Sequence, residues 1–490
     1  MKTKIYILFG FLIINFHSEA QIFSNTIKVD SLWGQYDLYK EKTIANRFIK
    51  HTDVVGLIEK HVKIGAFKNE ILGNSVEGRS INHVTIGKGK IKVLLWSQMH
   101  GDESTATMAL FDIFNFLDSK DKNDPFRNYL LNNLELHFIP MVNPDGAEVW
   151  KRRNAFGIDI NRDAVALVTP EATILKNIEQ QIKPDFGFNL HDQSSLYSVG
   201  HNKEPATISF LAPAYNYEQT ENEVRKNAIK LIANMNTHLQ NYIPGKVSRY
   251  NDEFEPRAFG DNFQAWGVST ILIESGGYKE DIEKQYIRKL NFYAILQAFE
   301  SICNKSYQNE KTEDYYKIKV NSHFNYDLVI RNIGFAKNGI TYKTDIGINL
   351  EQVLNNDLNS VSYKGTIAEI GDMDYNFGYA DMNANGMEYI VPKIKLLTQK
   401  EWENLTLTEE FNLVKQGFLF VKLTDKNNPN TSNKLLQLTE LETITNNIPE
   451  MKKAANFVLL EKSKPKYAVI NGFLIDLSKE PKVANNIISN

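Results

Sequence analysis

The sequence predicts a two-part chain: an α/β domain with helices on both faces of a buried, mostly parallel sheet, then a smaller β-rich domain. Three observations predict it. Between residues 91 and 303, continuous apolar runs alternate with helical patterns. Residues 304–315, "NKSYQNEKTEDY", are polar and aperiodic and read as a linker. Beyond them, "YKIKVNSHF", "DLVIRNIGF" and "QGFLFVKLTD" alternate apolar and polar residues with the two-residue period of strands.

The elements follow in order. "MKTK", then "IYILFGFLIINF", then "HSEAQ" are the basic, apolar and small-residue parts of a secretory signal over residues 1–20, with cleavage after Ala20. No second long apolar segment follows, so a secreted or periplasmic protein without stable membrane insertion is expected. No cysteine near Ala20 could carry a lipid. Residues 21–90 form a lead-in with a helix in "TDVVGLIEKHVKI" and a strand near "INHVTIG". Candidate strands are then "IKVLLWSQ", "LELHFIPMV", "PDFGFNLH" and "GVSTILIE". Candidate helices run over 103–117, 170–182, 221–241 and 286–302. The expected domains are therefore 21–303 for the chemistry, 304–315 as linker and 316–490 as the β-rich domain.

Composition excludes some partners. With 490 residues and a net charge of −3, the chain has no basic excess to attract nucleic acid or an anionic membrane. Its only cysteine, Cys303, cannot form an intramolecular disulfide, so any metal site must use His, Asp or Glu.

Such a site is suggested at the strand ends, where α/β folds collect functional groups. His100 and Glu103 lie three residues apart just past an apolar run. If one ends the strand and the other starts the helix, both face one crevice. A catalytic zinc takes three protein ligands and keeps a fourth position open. His191, at the end of "DFGFNLH", supplies the third. Glu274 closes "STILIE", where burial would raise its pKa toward that of a useful base. In "KRRNAFGIDINRD", Ile158 and Ile160 alternate with Asp159 and Asn161, as on a short half-buried strand. A buried Arg162 there would need an anionic partner, and a substrate carboxylate suits its fork.

Six segments in one order carry a resemblance: "GNSVEGRSI" (73–81), "HGDE" (100–103), "NPDG" (143–146), the run from Arg152 to Arg162, "LHD" (190–192) and "IES" (273–275). Together they resemble the zinc carboxypeptidases related to pancreatic carboxypeptidase A. The resemblance implies a mixed, mostly parallel sheet and one zinc ion per chain held by His100, Glu103 and His191. It implies Glu274 as general base and acid, and Arg152 (or the adjacent Arg153) as the group that polarises the scissile carbonyl. Asn161 and Arg162 would grip the terminal carboxylate, and Asp159 would hydrogen-bond a zinc-binding histidine. Asp102 stands where the digestive enzymes have an arginine. Tyr250 is the candidate for the family's mobile substrate-capping tyrosine. The C-terminal segments "YDLVIRN", "TDIGINLE", "TIAEIGDMD" and "ADMNANGMEYIVP" resemble the small β-domain beside the amidohydrolase barrel and imply no catalytic residue.

The expected function is an exported zinc metallocarboxypeptidase acting on peptides, cell-wall peptides among them. A zinc amidase or acylase for N-acyl amino acids fits nearly the same residues, and a non-catalytic binding module of this fold is the third alternative.

Overall fold

The structure, a computed structural model, describes residues 29–323, 325–355, 361–425 and 434–481. The signal segment 1–20 lies outside the described residues.

The first half is built on an eight-stranded mixed sheet in the order β1-β2-β4-β3-β5-β9-β7-β8. Its strands are β1 (Lys68–Asn74), β2 (Ser80–Gly87), β3 (Ile91–Ser97), β4 (Leu134–Ile139), β5 (Phe186–Asp192), β7 (Ile208–Leu211), β8 (Val247–Arg249) and β9 (Ser269–Ser275). β6 (Tyr197–Val199) stands outside it. The centre, β4-β3-β5-β9, is parallel. β1 and β2 run antiparallel to their neighbours, and β7 is antiparallel to β9 but parallel to β8. The helices are α1 (His51–Ile64), α2 (Thr105–Asp118), α3 (Asp124–Asn133), α4 (Pro144–Glu148), α5 (Pro170–Ile182), α6 (Glu223–Leu239), α7 (Phe259–Ala265) and α8 (Gln285–Asn304).

The central strands read as continuous apolar runs because both faces are covered. Val93 and Leu95 of β3 join one core with α2, α6 and α8. Leu94 and Trp96 join a second core with α5 and α7, where Trp96 stacks on Phe263 at 4.3 Å. Phe186, Phe188 and Leu190 of β5, with Ile271 and Ile273 of β9, face the larger core. Alternation along a strand turns His191 and Glu274 to the opposite face. In such sheets the ligand crevice lies beyond the carboxyl ends of the strands, where both residues stand. After β3 the chain goes to β4 on one side, then crosses to β5 on the other, so the crevice is a topological switch point.

The segment read as a linker, 304–315, is not one. It completes α8, forms a 3-10 turn at Ser306–Asn309 and starts α9 (Thr312–Tyr316). Tyr307 and Tyr315 are buried in the larger core, and the Tyr315 hydroxyl oxygen accepts from Ala212 N at 3.2 Å. Polar residues alternate there with aromatic anchors, which a reading of polarity passes over. "YKIKVNSHF" likewise divides between the end of α9 and β10 (Asn321–His323).

The second half is β-rich. Strands β11 (Asn325–Lys337), β12 (Ile340–Leu354), β13 (Val361–Gly371), β14 (Phe377–Asn383), β15 (Met387–Ile390), β19 (Phe457–Glu461), β20 (Lys464–Ile470) and β21 (Phe473–Asp476) form one sheet. A small sheet of β16 (Lys393–Leu397), β17 (Phe418–Leu423) and β18 (Gln437–Leu438) packs with α10 (Gln399–Asn404) and α11 (Leu407–Lys415). β10 pairs with β6, so the second half begins as an added strand on the loop that follows His191.

Candidate metal centre

The loop from β3 to α2 is shaped by two close backbone approaches. Gln98 takes a left-handed conformation (φ 47°), and its side chain donates to Gly101 O at 3.0 Å. Gly101 lies against α4: a Cβ there would stand 2.1 Å from Gly146 C and 2.2 Å from Ala147 N. "HGDE" and "NPDG" are thus two halves of one packed corner. Asn143 caps α4 by accepting from Gly146 N at 2.9 Å, and Pro144 occupies its first turn. "GNSVEGRS" braces the same corner, because Ser75 Oγ and Arg79 donate to Asp145 at 2.7 Å.

This corner delivers His100 and Glu103 to the crevice, and β5 delivers His191. His100 Nδ1 lies 2.8 Å from Glu103 Oε1, and His191 Nδ1 lies 2.7 Å from Glu103 Oε2. The ligand atoms of these three buried residues all fall within 4.8 Å of one another. His100 Nε2 is 3.1 Å from Asp159 Oδ1. With its proton there, Nδ1 is left with a lone pair aimed at the cluster. Two imidazole nitrogens and a carboxylate are a donor set that zinc accepts, and they leave further positions free. The residues present fit the ion.

The electrostatics are those of a tightly coupled buried group. Burial opposes ionisation of Glu103, but the two histidines hold it well below the usual carboxylate range. Burial also opposes charge on His100, yet Glu103 and Asp159 raise it to about 9. His191 is lowered, by burial first. Glu274 sits beside His191, its register partner across β5 and β9. Burial, then the Glu103 charge, push Glu274 well above an ordinary glutamate. Its Oε2 is buried with no hydrogen-bond partner among the described residues. A carboxylate oxygen held this way is available to a water or a substrate.

Arg152 and Arg153 part company. Arg152 bonds Asp159 Oδ2 through Nε at 3.1 Å and Glu103 Oε1 through NH1 at 3.1 Å, so it borders the cluster. Arg153 points away and donates to Gly157 O. The expected strand at 158–161 is instead a 3-10 turn, Ile160–Arg162, capped by the Asp159 side chain accepting from Asn161 N. Ile160 is buried in the second core, which the alternating pattern reported correctly, but Asp159 as cap curls the backbone.

Asn161 is buried; its Oδ1 accepts from Phe259 N at 2.9 Å, and its Nδ2 is 3.5 Å from His191 Nε2. The expected burial of Arg162 is not found. Its side chain is 38% exposed, and the anion beside it is the chain's own Glu255, 3.4 Å away. Tyr250 hangs from β7 through its amide (to Phe210 O, 2.8 Å), with its ring 6.0 Å from that of Tyr197. Burial, then the Glu274 charge, raise its hydroxyl pKa. One Asp102 oxygen is buried without a hydrogen-bond partner among the described residues, and burial raises its pKa.

Sequence reasoning missed the support behind the cluster. Asp192 accepts from Thr105 Oγ1 at 2.5 Å and from the buried Lys284 at 3.1 Å, with Arg47 3.5 Å away. Lys284 Nζ also donates to Ser275 O at 2.7 Å, tying together the residues that follow His191 and Glu274. "LHD" already contained Asp192 as the one local signal. Nothing around Lys284 marks it in sequence.

Residues 66–164 match the family model described as zinc carboxypeptidase. Among curated proteins, carboxypeptidase SOL1 of Arabidopsis thaliana is 38% identical over 65 residues, 13% of this chain and 13% of that protein. Carboxypeptidase M of Mus musculus is 27% identical over 126 residues, 22% of this chain and 27% of that protein. The chain thus spans well under half the length of these relatives. Among solved structures, a metallo-carboxypeptidase from Burkholderia cenocepacia aligns with a TM-score of 0.43 at 17% identity, over 52% of this chain and 69% of that one.

Proposed function

We propose, for a chain whose residues 66–164 belong to the zinc carboxypeptidase family, that it hydrolyses the C-terminal peptide bond of peptides. One observation carries the reading: two imidazole Nδ1 atoms and a carboxylate converge beside a buried glutamate oxygen that has no partner among the described residues.

His100, Glu103 and His191 would hold one zinc ion, which when bound supplies a Lewis acid and lowers the pKa of water. Asp159 keeps His100 in the tautomer this needs. Glu274 takes a proton from the attacking water and passes it to the departing amine, a task its raised pKa suits. Arg152, already at the rim of the cluster, is placed to stabilise negative charge that develops on the carbonyl oxygen. Arg162 and Asn161 bind the substrate's free carboxylate, with Arg162 turning from Glu255 to do so. Tyr250 covers the bound residue. Export is proposed from the basic and apolar pattern of residues 1–20, and no helix among the described residues is long and apolar enough to cross a membrane.

Glu274→Gln tests the reading on matched peptide acids. It keeps the size of the side chain and removes the base. Expected are a kcat at least ~100-fold lower and unchanged zinc content. A variant that retains full kcat would overturn the assignment. A wild type that cleaves only N-acyl amino acids would favour the acylase alternative.

A further inference from the structure

Glu274 is placed by its backbone. Its carboxylate makes no hydrogen bond among the described residues, and its Oε2 is buried. The strands that carry it and His191 are paired up to their last residues, with His191 opposite Glu274 and Asp192 opposite Ser275. One further bond, from Gln193 N to Ser275 O at 3.1 Å, ends the ladder. The next amide, Gly276 N, turns to Thr207 O instead. Side chains alternate along a strand, so Asp192 and Ser275 face away from His191 and Glu274. On that side Asp192 accepts from Thr105 Oγ1 of α2, and Ser275 Oγ accepts from Asn291 Nδ2 of α8.

Lys284 stands on that side too, buried, as the residue that precedes α8. An ammonium has three N–H donors, and here all three meet acceptors. They are Ser275 O at 2.7 Å, Asp192 Oδ2 at 3.1 Å and Gln193 O at 3.4 Å. Asp192 in turn donates through its amide to Glu103 Oε2 at 3.2 Å. One ammonium therefore grips the residue after His191 and the residue after Glu274. Through the Asp192 carboxylate it also reaches Thr105, two residues past Glu103.

The position is unfavourable for a lysine in two ways. A buried ammonium is destabilising unless paired. The Lys284 backbone is also left-handed (φ 49°), a conformation that residues with a Cβ enter reluctantly. Starting a helix requires neither, since Ser, Thr, Asp or Asn would do so better. What Lys284 contributes must lie in its three contacts.

We propose that Lys284 is a positioning residue: it closes the open end of the β5–β9 ladder and so fixes the Glu274 carboxylate relative to His191 and Glu103. It acts through the Ser275 carbonyl, from the far side of the sheet. This rests on the assignment of Glu274 as base in the peptidase reading above.

The test combines Lys284→Met and Glu274→Gln, singly and together, in the whole protein. Methionine keeps the length of the side chain and removes all three donors. Lys284→Met should lower kcat at least about tenfold, because a misplacement of about 1 Å can cost a hundredfold. KM should stay within about twofold, with zinc content unchanged. In the Glu274→Gln background no base is left to place, so the same change should lower kcat by less than about twofold. Lys284→Met should also lower the melting temperature, since it leaves Asp192 with only Arg47, 3.5 Å away. Asp192→Asn with Lys284→Met removes both charges and should regain most of that stability. Its kcat should stay low, because Ser275 O is still untethered, and it carries the test if the single variant does not fold. Equal losses of kcat in both Glu274 backgrounds would overturn the proposal and leave the peptidase reading standing. So would recovery of kcat together with stability, or loss of zinc from Lys284→Met. Full kcat in Glu274→Gln alone would overturn the base assignment as well.

Discussion

Arg162→Ala separates binding from chemistry, and the structure sets its size. Removing one partner of a fully buried charge pair costs about 2–5 kcal/mol, whereas an exposed pair contributes only about 0.2–1 kcal/mol. Arg162 lies between these limits. Its side chain is 38% exposed, but its NH1 is anchored on Asn161 O at 2.7 Å, which holds the guanidinium in place. A contact of about 1–2 kcal/mol follows, or roughly a 5- to 30-fold rise in KM at 1.4 kcal/mol per factor of ten. The loss should not be enlarged by a freed anion, because Arg257 holds Glu255 through two bonds of 3.0 Å. The contact exists before and during the reaction, so kcat should change little. Steady-state kinetics on matched peptide acids and amides measure this. The wild type should prefer the acid, and the variant should lose most of that preference. A fall in kcat at constant KM, or equal wild-type activity on acid and amide, would refute the assignment.

Three further outcomes are expected. His191→Ala should reduce zinc from about one per chain to a small fraction, read by metal analysis, together with activity; full occupancy would remove His191 from the ligand set. Gly101→Ala should lower both melting temperature and zinc content, since its Cβ would meet the backbone of Gly146 and Ala147, and overpacking of this kind costs about 1–3 kcal/mol or more. An unchanged melting curve would mean that the corner is not closely packed. Asp261 is pushed by burial up to about 7, so its charge opposes folding: the cost begins above the unfolded pKa near 3.8 and is complete above pH 7. Asp261→Asn, which can still accept from Glu255 N, should be more stable than wild type at pH 8, by at most about 4 kcal/mol, and equal to it near pH 4. An equal shift at both pH values would refute the titration.

Some of this protein is written in short stretches of sequence. β3, β5 and β9 are buried on both faces, so they stand out as unbroken apolar runs, and α5 begins and ends where its Thr169 cap and its pattern require. His100, Glu103, His191 and Glu274 stood out because each lies at or just past such a run. The antiparallel β7 and β8 did not, being too short to show a period. The anchoring of 304–315 was hidden for a different reason: its two tyrosines find their core partners on α6 and β5, far away in the chain. Charge partners were also beyond reach. No spacing rule links Asp192 to Lys284, 92 residues on, or sets Glu255 rather than a substrate beside Arg162. Local sequence encodes which residues leave water and with what period, because that depends on neighbours along the chain. Which charges meet and how exposed they stay depend on elements distant in sequence, and only the packed structure brings these together.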